Sequence, residues 1–196
     1  LVSGTHALST ALSGNLRPGD ELLYISGGPY DTLEGVIGIR KERGCLFEYG
    51  VTYNQVELLA DGNFDFDAIA AAINSRTKIV AIQRSRGYST RPTLSVEKIA
   101  KAINFVKSIN PKLICMVDNC YGEFVEEIEP TQVGADMAVG SLIKNPGGGL
   151  APIGGYIAGS YECVENAACR LTAPGLGREL GANLGVNRSF YQGLFL

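Results

Sequence analysis

The fold of this chain is decided by the apolar stretch Leu113-Ile114-Cys115-Met116-Val117. This stretch has the length of a strand and is far too short to span a bilayer. Strands that are apolar on both faces occur in sheets that are covered on both sides. Because Lys78-Ile79-Val80-Ala81-Ile82-Gln83 shows the same pattern, we predict a sheet that lies between two layers of helices.

Further strands and helices alternate along the chain around these two stretches. The other strands are predicted at 21–25, once or twice within 47–59, at 136–139 and at 154–158. Helices are predicted at 5–14, 30–40, 65–74 and 95–110, the last two with Asp65 and Ser95 as N-caps. Alternation of strands and helices favours right-handed crossovers between parallel strands. The sequence therefore predicts one α/β domain over 1–196 with a mostly parallel sheet.

The composition is that of a globular protein. With 45% hydrophobic and 19% charged residues, the chain has enough apolar side chains for a core, which argues against disorder. The net charge of −3 gives no indication of a nucleic-acid partner or an anionic membrane. The five cysteines form no C-x-x-C pair, and the chain has a single histidine. We therefore expect a cytoplasmic protein with reduced thiols and without a metal site.

Two candidate chemical groups follow predicted strands, at the edge where ligands bind in such sheets. Asp118 comes directly after the stretch at 113–117, and a buried carboxylate there needs a cationic partner. Lys144 precedes Gly147-Gly148-Gly149, whose missing side chains allow a ligand to approach closely. A desolvated lysine amine attacks carbonyl groups. For either residue taken alone, a capping aspartate or a surface lysine remains the alternative.

Three other segments add candidate ligand contacts. Ser3-Gly4-Thr5-His6-Ala7 opens the first predicted helix, where free N–H groups suit a phosphate, although an ordinary N-cap is the alternative. Tyr30 follows the first predicted strand and is placed either to stack on a flat heterocycle or to pack in the core. Arg84, Arg86 and Arg91 follow a later strand and suit an anionic ligand, a subunit interface or solvent.

These residues lie in motifs that resemble those of the fold-type I enzymes that depend on pyridoxal phosphate (PLP). Val117-Asp118-Asn119-Cys120 resembles the V-D-N-T segment of the cystathionine and methionine lyase branch, and Ser141-Leu142-Ile143-Lys144 resembles its S-x-x-K segment. The segments 2–8, 82–88 and 144–149 are similar to those of the bacterial aluminium resistance proteins, which are described as cystathionine β-lyase-like or methionine γ-lyase-like. The resemblance covers essentially the whole chain.

The resemblance implies a PLP-dependent carbon–sulfur lyase that cleaves a sulfur-containing amino acid by β- or γ-elimination. It further implies that the chain is the large cofactor domain of such an enzyme, of the seven-stranded transferase type. An N-terminal segment and a C-terminal small domain are then expected outside the chain. Enzymes of this fold usually build each active site from two subunits, so a homodimer or homotetramer is expected.

The resemblance also assigns roles to individual residues. Lys144 is expected to hold PLP as an aldimine and, once a substrate has released it, to remove the α-proton. Asp118 is expected to keep the pyridine nitrogen protonated. Gly4, Thr5 and Ser141 are expected to bind the phosphate, and Tyr30 is expected to stack on the ring. The full set of other expected cofactor contacts is Ser3, Gly4, Thr5, His6, Tyr30, Asn119 and Ser141. The candidates for substrate binding are Arg84, Arg86 and Tyr88.

Two departures from the motifs leave the substrate open. Cys120 stands where the branch has Thr, and the arginine-rich segment 84–91 replaces a loop with Pro and Asn. A PLP enzyme of another reaction class, such as an aminotransferase, and a non-catalytic PLP-binding stress-response protein therefore remain alternatives. A nicotinamide-binding domain has no support, because Gly147-Gly148-Gly149 continues without a G-x-G-x-x-G frame, and the sequence contains no P-loop.

Overall fold

A six-stranded sheet forms the centre of the computed structural model, which describes residues 1–179, 181 and 185–196. The strands are β1 (Glu21–Tyr24), β2 (Thr52–Gln55), β3 (Thr77–Gln83), β4 (Ile114–Asp118), β5 (Met137–Ser141) and β6 (Gly155–Gly159). They lie in the order β2-β1-β3-β4-β5-β6, and β6 alone among these runs antiparallel to its neighbour. The predicted mostly parallel α/β sheet is confirmed, but a seventh strand is not, since the described residues form six.

Helices cover both faces of this sheet. They are α1 (Gly4–Asn15), α2 (Asp31–Ile37), α3 (Phe66–Ala72), α4 (Val96–Ile109), α5 (Tyr161–Leu171) and α6 (Asn187–Gly193). Asp65 and Ser95 are N-caps as predicted, because their side chains accept hydrogen bonds from the backbone N–H three residues later. None of these helices, within the residues that the structure describes, combines the length and the apolar character needed to cross a membrane.

The predictions for the segments 30–40 and 47–59 differ most from the structure. The helix predicted at 30–40 ends at Ile37, because Gly38 adopts a left-handed conformation (φ 100°) that terminates it. The segment 47–59 contains one strand, β2, which a short 3-10 helix (Leu46–Tyr49) precedes. Two further 3-10 helices, Pro130–Val133 and Asn145–Gly147, lie beside β5 in the sequence.

The core consists of two apolar layers, one on each face of the sheet. Because side chains alternate along a strand, Leu22 and Tyr24 enter one layer and Leu23 enters the other. The first layer packs under α1, α2 and α5, and the second packs under α3 and α4. Both faces of the central strands are therefore covered, as their apolar sequence predicted.

A close contact with α5 fixes the position of α1. Gly14 lies so near α5 that an added Cβ would be 2.8 Å from the Cα of Ala167. The buried amide of Asn15 donates to the carbonyl of Cys163 at 3.1 Å and accepts from the Asn166 amide at 3.1 Å. Since a buried amide without partners would cost stability, these bonds hold α1 in place. The N-terminus of α1 consequently lies at the carboxyl edge of the parallel strands.

Candidate active site

A cavity of about 350 Å³ opens at the carboxyl edge of the parallel strands. Its walls come from the first turn of α1 and from the segments that follow β1, β3, β4 and β5, where ligands bind in such sheets. The predicted site residues that line it are Ser3, Gly4, Thr5, Tyr30, Arg86, Asp118, Ser141 and Lys144. Folding thus brings together residues that are far apart in the sequence.

Asp118 is the last residue of β4 and is only 3% exposed. Its Oδ1 accepts a hydrogen bond from the Cys120 N–H at 3.1 Å. Burial raises the pKa of the Asp118 carboxyl, although the Cys120 hydrogen bonds and the charge of Lys144 oppose that rise. None of the ion pairs between described residues includes Asp118. A buried carboxylate of this kind fits a ligand that brings a protonated nitrogen.

The amine of Lys144 lies beside two aromatic rings. Its Nζ is 4.0 Å from the centroid of the Tyr121 ring and 5.9 Å from that of the Tyr30 ring. These distances are those of cation–π contacts. Both rings line the cavity, as do Lys144 and Asp118, so the amine and the carboxyl belong to the same cavity.

The first turn of α1 presents hydrogen-bond donors to the cavity. Ser3 is the N-cap, and its hydroxyl accepts from the His6 N–H at 3.0 Å. The N–H groups of Gly4 and Thr5 lie in this turn, where a helix provides no acceptor of its own. Gly4 approaches Ser141 so closely that an added Cβ would be 3.0 Å from the Ser141 Cβ. The free N–H groups of this turn and the nearby Ser141 hydroxyl are donors that suit a phosphate.

Tyr30 lines the cavity and contacts Tyr88. The two rings stack with centroids 5.4 Å apart, and the Tyr30 hydroxyl donates to the Tyr88 hydroxyl at 2.9 Å. This hydrogen bond is the main cause that raises the pKa of Tyr30 to about 12. Tyr88 is 82% exposed and lies behind Tyr30, outside the residues that line the cavity. It therefore reaches the site through Tyr30.

Arg84 and Asn119, two of the predicted site residues, point away from the cavity. Arg84 continues the alternation of β3 on the α4 face, after Val80 and Ile82. Its guanidinium is buried there and donates to the Asn119 Oδ1 at 2.8 Å. Asn119 follows Asp118 by one position, so its side chain lies on the opposite face of the sheet. The structure thus corrects the expectation that these two residues contact the cofactor or the substrate.

His6 is also separate from the cavity. Its Nδ1 accepts a hydrogen bond from the Val2 N–H at 3.2 Å, and the side chain borders a different cavity beside Leu142 and Phe190. Successive residues of a helix point about 100° apart, so His6 leaves the face that Thr5 shares with the site. His6 is therefore not placed to contact a ring bound in this cavity.

The residues that line the cavity but were not expected from the sequence include Thr32, Cys120 and Tyr121. The Thr32 hydroxyl lies 2.8 Å from that of Thr5, and Cys120 adjoins Asp118. Burial raises the pKa of the Cys120 thiol to about 12, so this side chain is neutral. Tyr121 has a left-handed backbone (φ 67°), which costs a residue other than glycine about 1–3 kcal/mol. An aromatic residue three positions after Asp118, next to a strand end, was the available signal.

The cavity as a whole fits PLP. The first turn of α1 and Ser141 suit a phosphate, Asp118 suits a pyridine nitrogen, and the Lys144 amine suits an aldehyde. The part of the chain that the structure describes contains no cluster of three His, Cys, Asp or Glu side chains that could hold a metal ion. Donors for a phosphate, a ring nitrogen and an aldehyde in one cavity are those that an organic, anionic cofactor needs.

Comparisons with known proteins agree with this geometry. A family model described as methionine gamma-lyase matches residues 1–196. The Bacillus subtilis (strain 168) protein YnbB is 57% identical over 198 residues, which cover 100% of this chain and 47% of YnbB. A Listeria innocua structure whose name refers to cystathionine beta-lyase and aluminum resistance has a TM-score of 0.96 at 58% identity, covering 100% of this chain and 48% of that one. A carbon-sulfur lyase involved in aluminum resistance from Clostridium novyi NT has a TM-score of 0.94 at 51% identity, covering 100% and 47%.

The match extends over the whole of this chain but over part of each relative. The chain spans about half the length of these three proteins. The family model nevertheless covers all 196 residues, including every residue that lines the cavity. This chain therefore belongs to the methionine gamma-lyase family, whose enzymes depend on PLP.

Proposed function

We propose that this chain is the PLP-binding large domain of a carbon–sulfur lyase that acts on a sulfur-containing amino acid by β- or γ-elimination. The observation that carries the proposal is that the Lys144 amine and the Asp118 carboxyl face one cavity beside the first turn of α1. The name of the Clostridium novyi relative, a carbon-sulfur lyase, supports the reaction class. The family description supports the substrate class.

In this proposal two residues do the proton chemistry. PLP supplies an electron sink for a carbanion at the substrate α-carbon. The Lys144 Nζ would hold the cofactor at its aldehyde, and the free amine would accept the proton from the substrate α-carbon. The Asp118 carboxylate keeps a proton on the ring nitrogen, because a cation relieves the cost of its buried charge.

In this proposal, other residues orient the cofactor and the substrate. The N–H groups of Gly4 and Thr5 and the Ser141 hydroxyl bind the phosphate. The Tyr30 ring would pack against the ring of the cofactor. Arg86 is exposed at the cavity wall and forms no ion pair with another described residue. We assign the substrate carboxylate to this guanidinium, which matches a carboxylate with two parallel hydrogen bonds.

We further propose that the cytoplasmic enzyme is a homodimer or homotetramer. Several large side chains near the cavity are exposed, which is typical of a surface that another subunit covers. They are Tyr88, Tyr121, Phe124, Val125 and Ile143. Light scattering coupled to size-exclusion chromatography measures the mass in solution, and a monomer at micromolar concentration would contradict this part of the proposal.

Borohydride reduction tests the cofactor and the lysine together. The purified full-length protein is incubated with PLP, reduced, digested and mapped by mass spectrometry. We expect one phosphopyridoxyl adduct, on Lys144, and no adduct at this site in Lys144→Ala. Lys41→Ala, which removes an exposed lysine elsewhere, is the matched control and should label like the wild type. Adducts scattered over surface lysines would contradict the proposal.

Product analysis tests the reaction class. Cysteine, cystathionine and methionine are supplied one at a time, and pyruvate, 2-oxobutyrate and the released thiol are measured. A keto acid formed together with a thiol supports elimination. Keto acid that appears only when an amino acceptor is added would indicate an aminotransferase. The spectrum of bound PLP without turnover of any amino acid would indicate a non-catalytic protein.

A further inference from the structure

The segment after β4, which we call the 119–129 loop, has an unusual backbone. Two of its residues other than glycine, Tyr121 (φ 67°) and Phe124 (φ 61°), are left-handed. Such conformations persist where the surrounding structure determines them. The contacts that hold the loop therefore decide where the Tyr121 ring lies.

Arg84 makes the central contact with this loop. Its Nη1 donates to the Asn119 Oδ1 at 2.8 Å and to the Gly122 carbonyl at 2.9 Å, and its Nη2 donates to Glu126 at 2.7 Å. The Arg84 side chain, a guanidinium, is 2% exposed. The carboxylates of Glu126 and, at 3.5 Å, Glu129 compensate this buried charge.

The loop fits closely around the guanidinium. A Cβ added at Gly122 would lie 2.5 Å from the Arg84 Nη1 and 2.6 Å from the Asn119 Oδ1. Only glycine leaves room for this approach. The planar group with several donors reaches Asn119, Gly122 and Glu126 at once, which the single ammonium of a lysine cannot reproduce.

On the other side, the loop is tied to the lysine segment. Asn145, the residue after Lys144, donates from its Nδ2 to the Tyr121 carbonyl at 3.2 Å and to the Glu123 carbonyl at 3.0 Å. Tyr121 therefore lies between Asn119, which Arg84 holds, and Glu123, which Asn145 holds. Its ring is 4.0 Å from the Lys144 Nζ.

From these contacts we infer that Arg84 is a positioning residue for Lys144, which acts through the 119–129 loop and the Tyr121 ring. The ring attracts the charged amine and confines it to the cavity. The part of this inference that concerns the reaction of the amine with PLP rests on the proposed function. The confinement of the amine itself does not.

Two measurements on the full-length protein test the inference. The first is acetylation of Lys144 by dilute acetic anhydride without PLP, mapped by mass spectrometry. In Tyr121→Leu and in Arg84→Lys, we expect roughly 2- to 5-fold more acetylation of Lys144. This factor corresponds to the free energy of one cation–π contact. The second is the rate at which added PLP forms its adduct with Lys144, followed by visible absorption. We expect that rate to fall, because a released amine is less often aligned with the aldehyde.

More acetylation of Lys144 together with slower adduct formation indicates that the amine has lost its position. The lysines elsewhere in the chain show whether the structure has loosened as a whole. Lys107, which pairs with Asp136 at 2.7 Å, should keep its wild-type acetylation in every variant. Arg76→Lys, at the other end of β3, is the matched control and should change neither measurement. Tyr121 is 59% exposed, so its replacement leaves the core intact. If Arg84→Lys does not fold, Glu126→Gln weakens the same contact and should change both measurements in the same directions.

The double variant tests whether Arg84 acts through Tyr121. If it does, Arg84→Lys adds nothing to Tyr121→Leu, whereas independent effects would add. Additive effects, or wild-type values in either single variant, overturn the inference. If the wild-type protein forms no adduct with PLP, the proposed function fails, and acetylation alone then decides whether Arg84 and Tyr121 confine the amine.

Discussion

Replacing Asp118 by Asn tests whether this carboxylate is kept for a ligand at the expense of stability. Burial raises the pKa of the carboxyl, so its ionised form opposes folding. Asn has nearly the same size and no charge, and its amide oxygen can still accept from the Cys120 N–H. We therefore expect the PLP-free variant to gain about 1–3 kcal/mol in the free energy of unfolding, because it no longer buries a charge that has no cationic partner among the described residues.

The gain should depend on pH in a defined direction. An ordinary aspartate in the unfolded chain loses its proton near pH 3.8, whereas the folded chain holds the proton to higher pH. As the pH rises from that value through the raised pKa of folded Asp118, the wild-type protein loses stability relative to Asp118→Asn. Above the folded pKa, the difference between the two proteins stays constant.

With PLP, the same substitution should have the opposite effect. A hydrogen bond between a carboxylate and a protonated ring nitrogen is worth about 1.5–3 kcal/mol. Its loss corresponds to a PLP Kd that is roughly 10- to 150-fold higher. The variant should therefore be more stable without PLP and should bind PLP more weakly.

Urea denaturation at pH 8 without PLP measures the free energy of unfolding, and a fluorescence titration with PLP measures the PLP Kd. Asp136→Asn is the matched control, because Asp136 accepts from Lys107 at 2.7 Å and from the Cys115 N–H at 2.7 Å. This control should lose stability and keep the wild-type PLP Kd. The reasoning is refuted if Asp118→Asn destabilises the PLP-free protein as the control does, or if it leaves the PLP Kd unchanged.

Three further predictions concern other parts of the site. Arg86→Ala should raise the substrate KM roughly tenfold or more at unchanged PLP affinity, and a wild-type KM in steady-state assays would remove its assigned role. Gly122→Ala should lower the free energy of unfolding by about 1–3 kcal/mol, because its Cβ would lie 2.5 Å from a buried guanidinium; Gly28→Ala, with its nearest atom at 3.5 Å, should cost less in the same urea titration. Iodoacetamide at pH 8 should label the half-buried Cys169 before Cys120, whose pKa burial raises to about 12, and mass spectrometry showing the reverse order would contradict this.

Much of the fold could be predicted because local signals and burial agreed. The caps Asp65 and Ser95 start helices where the sequence placed them, and the two long apolar stretches are central strands. The end of α2 was missed because it depends on a left-handed glycine, Gly38, that the apolar periodicity does not reveal. Boundaries of this kind are decided by backbone conformation, which hydrophobic pattern alone does not specify.

The site was predictable where strand topology decides and unpredictable where side-chain direction decides. Asp118 ends β4 and Lys144 follows the neighbouring parallel strand β5, and the carboxyl ends of the two strands meet at one edge, so the proximity of the two residues follows from the sheet. Arg84 also follows a strand, but its side chain leaves on the opposite face, which a list of strand-end residues does not show. The place of the Tyr121 ring depends on contacts with residues distant in sequence, so its position three residues after Asp118 did not by itself determine where the ring lies.

The packing of α1 against α5 has a consequence for synthesis on the ribosome. Asn15 and Cys163 bond to each other across 148 positions of the chain. At about 5–20 residues per second, α1 is made roughly 7–30 seconds before its partner helix. The part of α1 that contacts α5, which includes Gly14 and Asn15, lacks its partner during that time. The first turn of α1 can therefore take its place beside Ser141 only late in translation, after most of the sheet has been made.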